Sequence, residues 1–354
     1  MKKVAVAAAV AGAFATSATA AELSTFIYQD YNLSFNSASV TGAADYDDVT
    51  VGDAGSNMVN FNYSDDLGNG LGLIGSFSMT ARGTAAGNAT ASSGGIANRN
   101  SFIGLTGEFG KVTVGTHELM AELEVILKDG WDANYGGGGD PVRITRIAGT
   151  GTATTDPGHG YTQRVNQSVE WTSADMNGLT INAALIENGG STAAVDAQGT
   201  EINAIYNMAG GIRLSAGTGS HDDYGGTAGD TMEFTYVTAA YDFGTFSIAG
   251  SVSEVESKVG STVYQQSGSH INLTMPTASG RVMFNYATQG DRDEAGLAQA
   301  NSGFSGYDIG YMHDASANTK LYVRFLSSSV DADYDWDAAA SDKESLQLGM
   351  RYVY

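Results

Sequence analysis

From Glu22 to the C-terminus, apolar and polar positions alternate with a period of two, in segments separated by breaks rich in glycine, asparagine and aspartate. Successive strand residues point to opposite faces, so the pattern predicts strands with one apolar and one polar surface. The last segment shows it most fully. Leu346, Leu348, Met350, Tyr352 and Tyr354 are apolar or aromatic, and Ser345, Gln347, Gly349 and Arg351 fall between them. Val59, Phe61 and Tyr63 alternate with Asn60 and Asn62, and Val282, Phe284 and Tyr286 with Arg281, Met283 and Asn285. Leu321, Val323 and Phe325 alternate with Tyr322 and Arg324, and Val165, Val169 and Trp171 with Arg164, Asn166, Ser168 and Glu170.

Carried along the chain, the pattern predicts about sixteen strands, at roughly 22–35, 56–63, 70–82, 98–107, 110–116, 161–172, 178–187, 199–208, 211–222, 231–243, 245–257, 263–276, 280–289, 303–314, 318–331 and 344–354. Their connections alternate in length. Tight turns are expected at 65–70, 108–110, 209–210, 243–244 and 278–280, and longer polar loops at 83–97, 188–198, 290–302 and 332–343. Short turns on one rim and long loops on the other fit an antiparallel barrel that spans a membrane. A soluble sandwich would also alternate, but it does not account for the aromatic-rich apolar face.

The N-terminus strengthens the membrane reading. Lys2 and Lys3 precede an apolar run from Val4 to Phe14, and Ala18-Thr19-Ala20 has the small residues of a cleavage site. Residues 1–20 read as a signal peptide, and 21–354 as one barrel domain of a Gram-negative outer membrane. The run is too short for a spanning helix, which needs about 20 apolar residues. The chain has no cysteine, so an exported fold would have to be held by a closed strand ladder instead of disulfides. The mean hydropathy of -0.14 suits a barrel in which only alternate residues meet lipid.

Charge narrows the partners. Seventeen basic and 39 acidic residues give a net charge of -22, which argues against nucleic-acid binding. Outer-membrane lipid and lipopolysaccharide are the surroundings expected of such a barrel. The five histidines at 117, 159, 221, 270 and 313 lack metal-ligand spacing; His117 reads as a hydrogen-bonding residue at a loop base. No nucleophile stands beside a base, so no enzyme is expected. Gly70-Leu71-Gly72-Leu73-Ile74-Gly75 spells a dinucleotide fingerprint but lies between a turn and a period-two strand, with no helix to follow.

Residues 117–160 break the alternation. His117 to Lys128 has helical character, with Leu119, Leu123 and Ile126 on one stripe and Glu118, Glu122 and Glu124 around it. Asp129, Trp131, Asp132, Tyr135 and a glycine run precede Asp140-Pro141. A loop this long within a compact domain is usually functional. Asp129, Asp132 and Asp140 offer hard oxygens to Ca²⁺, but not at the spacing of an EF-hand loop. Solvated carboxylates are the favoured reading there, with Ca²⁺ the alternative and no other cofactor expected.

The stretch Arg99-Asn100-Ser101-Phe102-Ile103-Gly104-Leu105-Thr106-Gly107-Glu108-Phe109-Gly110-Lys111-Val112-Thr113-Val114-Gly115 resembles the strand–turn–strand before the third loop of the general diffusion porins of Gram-negative bacteria. The aromatic C-terminal strand and the segment count agree with that resemblance. It departs from the family at Thr116, where an arginine is common, and at Tyr354, where the family usually ends in Phe. The resemblance implies a sixteen-stranded homotrimer whose long third loop folds into the lumen and narrows it. Loop carboxylates would then face wall arginines.

On that basis Glu118, Glu122, Glu124, Asp129 and Asp132 form the acidic side of a constriction. Arg82, Arg99, Arg164, Arg324 and Arg351 fall on polar faces and form the basic side, with Arg82 and Arg99 the first-choice partners. The implied function is passive diffusion of small hydrophilic solutes and ions through a water-filled channel, and the acid excess predicts cation preference. A substrate-specific channel is the alternative, with Tyr28, Tyr224, Tyr236, Tyr264 and Trp336 as candidate lining. A structural or adhesive barrel with a closed lumen is a third. It fits less well, because the inward positions are mostly Ser, Asn, Thr, Gly and Arg.

Overall fold

The computed structural model describes residues 22–40, 45–53, 57–81, 96–118, 120, 124, 131, 164–187, 198–223, 229–300, 302–330 and 341–354, with backbone alone at Arg99, Arg164 and a few other strand-end positions. Nineteen strand segments join one antiparallel sheet among these residues. They are β1 (Glu22–Val40), β2 (Tyr46–Asp53), β3 (Met58–Gly68), β4 (Leu71–Ala81), β5 (Ile96–Gly107), β6 (Gly110–Glu118) and β7 (Arg164–Thr172). Then come β8 (Leu179–Glu187), β9 (Gln198–Met208), β10 (Ile212–Asp222), β11 (Thr231–Asp242), β12 (Ser247–Val259) and β13 (Thr262–Thr277). The last are β14 (Gly280–Gln289), β15 (Arg292–Glu294), β16 (Leu297–Gln299), β17 (Phe304–Asp314), β18 (Thr319–Val330) and β19 (Ser341–Val353).

The sheet closes on itself because β1 pairs with β19, from Tyr28 opposite Val353 to Val40 opposite Ser341. Closure joins the first strand to the last, so the staves form a continuous ladder, the condition a strand fold must meet in lipid. The other edge of β1 is shared: β3 covers Glu22–Tyr28 and β2 covers Tyr31–Ala38. Those two segments are one stave interrupted near Asn57. The small hairpin β15–β16 adds to β13 at Tyr264 and Gln265, beyond the end of β14. The barrel therefore has sixteen staves, as the periodicity predicts.

Side-chain exposure follows the alternation. In β19, Leu348 and Met350 are 46% and 56% exposed, whereas Gln347 and Arg351 are 2% and 1%. Val237, Val252 and Ile271 stand outward on neighbouring staves, and Leu214 continues the row on β10. This apolar belt is what lipid contact requires of an outward face.

The short turns are closed locally by aspartates. Asp66, Asp175 and Asp242 each accept the backbone N–H of a following glycine, Gly68, Gly178 and Gly244. Such side-chain caps are what favour Asp at turns. On the long-loop rim, β12 and β13 depart from the alternation of connection length and are joined by Gly260 and Ser261 alone. Gly260 has φ +61°, a left-handed conformation open to glycine in a two-residue hairpin turn.

Candidate functional site

The polar faces of β14, β17, β18, β19 and β1 form one arc of the inner wall, and it carries two buried ion pairs. Arg324 on β18 meets Asp308 on β17 at 2.9 Å, and Arg351 on β19 meets Asp30 on β1 at 2.8 Å. All four residues are essentially unexposed. Each carboxylate is further satisfied by neighbours. Tyr322 Oη donates to Asp30 (2.9 Å), as does Tyr28 Oη (3.2 Å), and Asn285 Nδ2 donates to Asp308 (3.0 Å). Saturated hydrogen bonding of this kind is what permits charges to stay ionised out of water.

Trp131, from the segment between β6 and β7, is bound into this arc and is fully buried. Its indole N–H donates to Asp308 Oδ1 (2.7 Å), and its main-chain carbonyl accepts from Arg351 Nη2 (2.7 Å). The Arg324 guanidinium stands 4.9 Å from the centre of the indole ring, and Tyr322 meets that ring edge-on at 5.8 Å. Met283, Met312 and Tyr322 complete an apolar cluster around it.

A second arc lies on β6, β7, β8, β9, β10 and β11. Glu201 on β9 accepts the backbone N–H of Met120 (3.2 Å) and stands 3.4 Å from His221 Nε2 on β10. Glu124 pairs with Arg213 on β10, whose side chain remains 30% exposed. Arg213 also donates to Asn207 (3.0 Å). Asn203 donates to Tyr236 Oη (2.9 Å) and accepts from Asn182. At the base of the segment, His117 has Ser168 Oγ at 2.7 Å and Thr113 Oγ1 at 2.9 Å, and stacks on Phe102. It is a hydrogen-bonding residue at the loop base, as read from sequence.

The sequence-chosen residues fare unevenly. Glu118 ends β6 and accepts from Asn100 Nδ2 (3.4 Å), and Glu124 meets a wall arginine. Arg324 and Arg351 do face inward, but they are neutralised by Asp308 and Asp30 and shut off from water. They are therefore not a solvent-facing basic row, which corrects the role assigned to them. Arg82, Glu122, Asp129, Asp132 and Asp140 lie outside the described residues, so the Ca²⁺ alternative falls there too. Arg99 lies in β5 and Arg164 in β7, opposite Glu118 in the ladder, with their side chains outside the description. Gln167, at φ +56°, marks a bulge between Arg164 and Val169, so alternation counted from Val169 does not carry through to Arg164.

Of the candidate aromatic track, Tyr28 and Tyr236 are buried on different arcs, and Tyr264 lies under Arg292 of β15. Tyr224 and Trp336 lie outside the described residues. Sequence reading missed Asp30, Asp308, Glu201, Arg213 and Trp131 as site residues. The first four carry a usable signal, a charge on the polar face of an alternating segment. Trp131 carries only that of a large aromatic in an otherwise polar loop.

Comparison with solved structures agrees on the fold. The barrel is similar to the anion-selective porin from Comamonas acidovorans, with a TM-score of 0.73 and 17% identity over 95% of this chain and 100% of that one. It is similar to the trimer form of OmpT, an outer membrane protein of Vibrio cholerae, with a TM-score of 0.68 and 16% identity over 95% and 100%. Salmonella typhi OmpF, in complex with daunomycin, gives a TM-score of 0.64 and 14% identity over 94% and 97%. At these identities the likeness speaks for architecture alone. Sequence comparison finds no match among curated proteins. The sequence profile of the Gram-negative porins does match, over residues 5–352, and the chain belongs to that family as a non-enzymatic channel protein of the outer membrane.

Proposed function

We propose that the chain forms a water-filled channel for passive diffusion of small hydrophilic solutes and ions, narrowed by the segment between β6 and β7 and preferring cations. The observation that carries the narrowing is the position of three residues of that segment. Met120 and Glu124 are held by β9 and β10, the eighth and ninth staves, and Trp131 by β17, β18 and β19, the fourteenth to sixteenth. All of these partners project to the polar face. Contacts from one segment to two such separated arcs of the inner face support the narrowing.

Cation preference is supported by the balance of charge on the inner face. Arg213, Arg324 and Arg351 are each matched by a carboxylate in contact, while the chain as a whole carries -22. A low-dielectric wall focuses the part of that excess that faces the lumen. A homotrimer in lipid and lipopolysaccharide completes the reading, in line with the family and with the trimer form of OmpT.

Reconstitution of the full chain in planar bilayers under a KCl gradient tests the proposal. The expected outcome is discrete conductance steps with a reversal potential of the sign set by K⁺. A reversal potential of the opposite sign would overturn the cation preference, and the absence of any steps would overturn the channel.

A further inference from the structure

We infer that the outer face of β10, β11, β12 and β13 carries a lipid-binding groove, which seats an acyl chain below a headgroup bearing a primary amine. The groove faces away from the lumen, so the inference stands apart from how the channel is narrowed.

Strand pairing shows how the groove arises. Leu214, Ala239, Gly250 and Ile271 are cross-strand neighbours on the outward face of four consecutive staves. Two large side chains flank an alanine and a glycine, so the middle of the row is a trough between ridges. Its volume is about 650 Å³, within the range of sites that hold small ligands. Toward the long-loop rim lies a second hollow of about 520 Å³, which includes Thr235, Glu254 and Ser267. Val237, Val252 and Ser269 line both hollows, so the two are continuous. Val252 is 57% exposed and Ser253 is buried, which places Glu254 on the same outward face as Val252. The groove is therefore amphipathic along its length, apolar in the belt and polar toward the rim.

Chemistry identifies the occupant. In lipid, such a trough is filled by a hydrocarbon chain, which gains dispersion contacts from the floor and both flanks. Gly250 precedes Glu254 by four residues, about 13 Å of strand, so a chain in the lower hollow carries its headgroup to that carboxylate. An outward charge is costly at the bilayer midplane and tolerated near the interface, which puts Glu254 at headgroup level. Thr235, Glu254 and Ser267 form one cross-strand row, a carboxylate between two hydroxyls. An ammonium group has three donors and no acceptor, and this row offers it three oxygen-bearing side chains. The surrounding charge favours the same choice. Glu233 and Glu256 stand opposite each other on the outward face, and Asp293 pairs with Gln265 beside them, with Lys258 beyond Glu256 toward the rim. Glu256 accepts from Gln265 Nε2, whereas Glu233 and Glu254 have no hydrogen bond or ion pair among the described residues. A lipid phosphate without an amine would meet only repulsion from these carboxylates.

The test uses the full-length protein in detergent, titrated with phosphatidylethanolamine, phosphatidylcholine or phosphatidylglycerol of identical acyl chains, with retained lipid counted by native mass spectrometry. Phosphatidylethanolamine is expected to be retained several-fold above the other two, because choline has no N–H to donate and glycerol leaves the phosphate uncompensated. Ala239→Leu fills the trough from the lipid side and is expected to abolish that retention. Glu254→Gln is expected to keep lipid bound and to erase the preference among headgroups. Equal retention of the three lipids by the parent would overturn the inference. So would undiminished retention by Ala239→Leu, with the barrel intact by heat-modifiable mobility. If Ala239→Leu does not assemble, Glu254→Gln decides, and an unchanged preference for the amine in that variant would overturn the headgroup assignment. Retention of phosphatidylglycerol that depends on added Mg²⁺ would mean that the carboxylates hold a cation-bridged phosphate, and would overturn the amine.

Discussion

The segment between β6 and β7 is gripped at two places by opposite means. At Trp131 the grip is dry: four charged side chains are buried in two complete pairs, and the residue between them has no exposure. At Glu124 the grip is a single pair whose arginine is 30% exposed. Truncating one member of a buried pair costs about 3–5 kcal/mol, because the partner is left charged without water. A pair with a buried carboxylate and a partly exposed arginine falls between that and the about 0–1 kcal/mol of a fully exposed pair, since water and salt screen it only in part. Geometry is therefore set where water is excluded, while the charge that a passing ion senses lies where water is admitted. Arginines that look equivalent in the sequence serve different ends.

The largest way to break this contrast is to strand a buried charge. Asp308→Asn leaves Arg324 without its counter-ion and weakens the acceptor for Trp131, so we expect a loss of about 3–5 kcal/mol in barrel stability. Urea unfolding of the barrel in detergent, compared with the parent, measures it. The pair Asp308→Asn with Arg324→Met is expected to recover much of the loss, since an uncharged, well-packed pair carries no desolvation penalty. A single variant as stable as the parent would mean that Arg324 reaches water, and that the dry grip is no different from the wet one.

A somewhat smaller effect tests the sidedness on which the contrast depends. Val323 is 40% exposed, and its neighbour Arg324 is fully buried. Val323→Arg would place on the lipid face the same side chain that β18 already carries on the inner face. The expected cost is about 2–4 kcal/mol near the bilayer midplane, read as a shift in unfolding midpoint in lipid vesicles. A neutral outcome would contradict the assignment of the apolar belt to lipid.

How much of this was legible beforehand depends on the range of the interaction that decides it. The staves were legible because strand alternation is local: β19 runs from Ser341 to Val353, close to the segment read from Leu346, Leu348 and Met350. The stave split into β2 and β3 was not, because among the described residues Tyr46–Asp53 pairs with the far half of β1, remote from any signal in its own sequence. Inward placement of Arg324 and Arg351 could be read from parity. Their neutralisation could not, because Asp30 and Arg351 are 321 positions apart in sequence and become neighbours only when the barrel closes. Parity itself fails wherever a bulge intervenes, as at Gln167 before Arg164. Trp131 was out of reach for the same reason as Asp30, with its acceptor 177 positions away and no periodicity in its own segment to place it.

The smallest expected effect is on stability and the most informative is on selectivity, and both come from the wet grip. Glu124→Gln removes a carboxylate in contact with Arg213, and Arg213→Gln removes the guanidinium; with the carboxylate buried and the guanidinium 30% exposed, each is expected to cost less than stranding Arg324. Their effects on reversal potential should be opposite in sign. The first leaves a positive charge at the lumen surface and lowers cation preference, and the second leaves a negative one and raises it. Screening sharpens the test, because the Debye length falls from about 10 Å at 0.1 M salt to about 3 Å at 1 M. Both shifts should therefore shrink together as KCl is raised. Shifts of the same sign in the two variants could not arise from charge alone. They would mean that this pair also holds the segment in place, and that position and charge are not divided between the two grips.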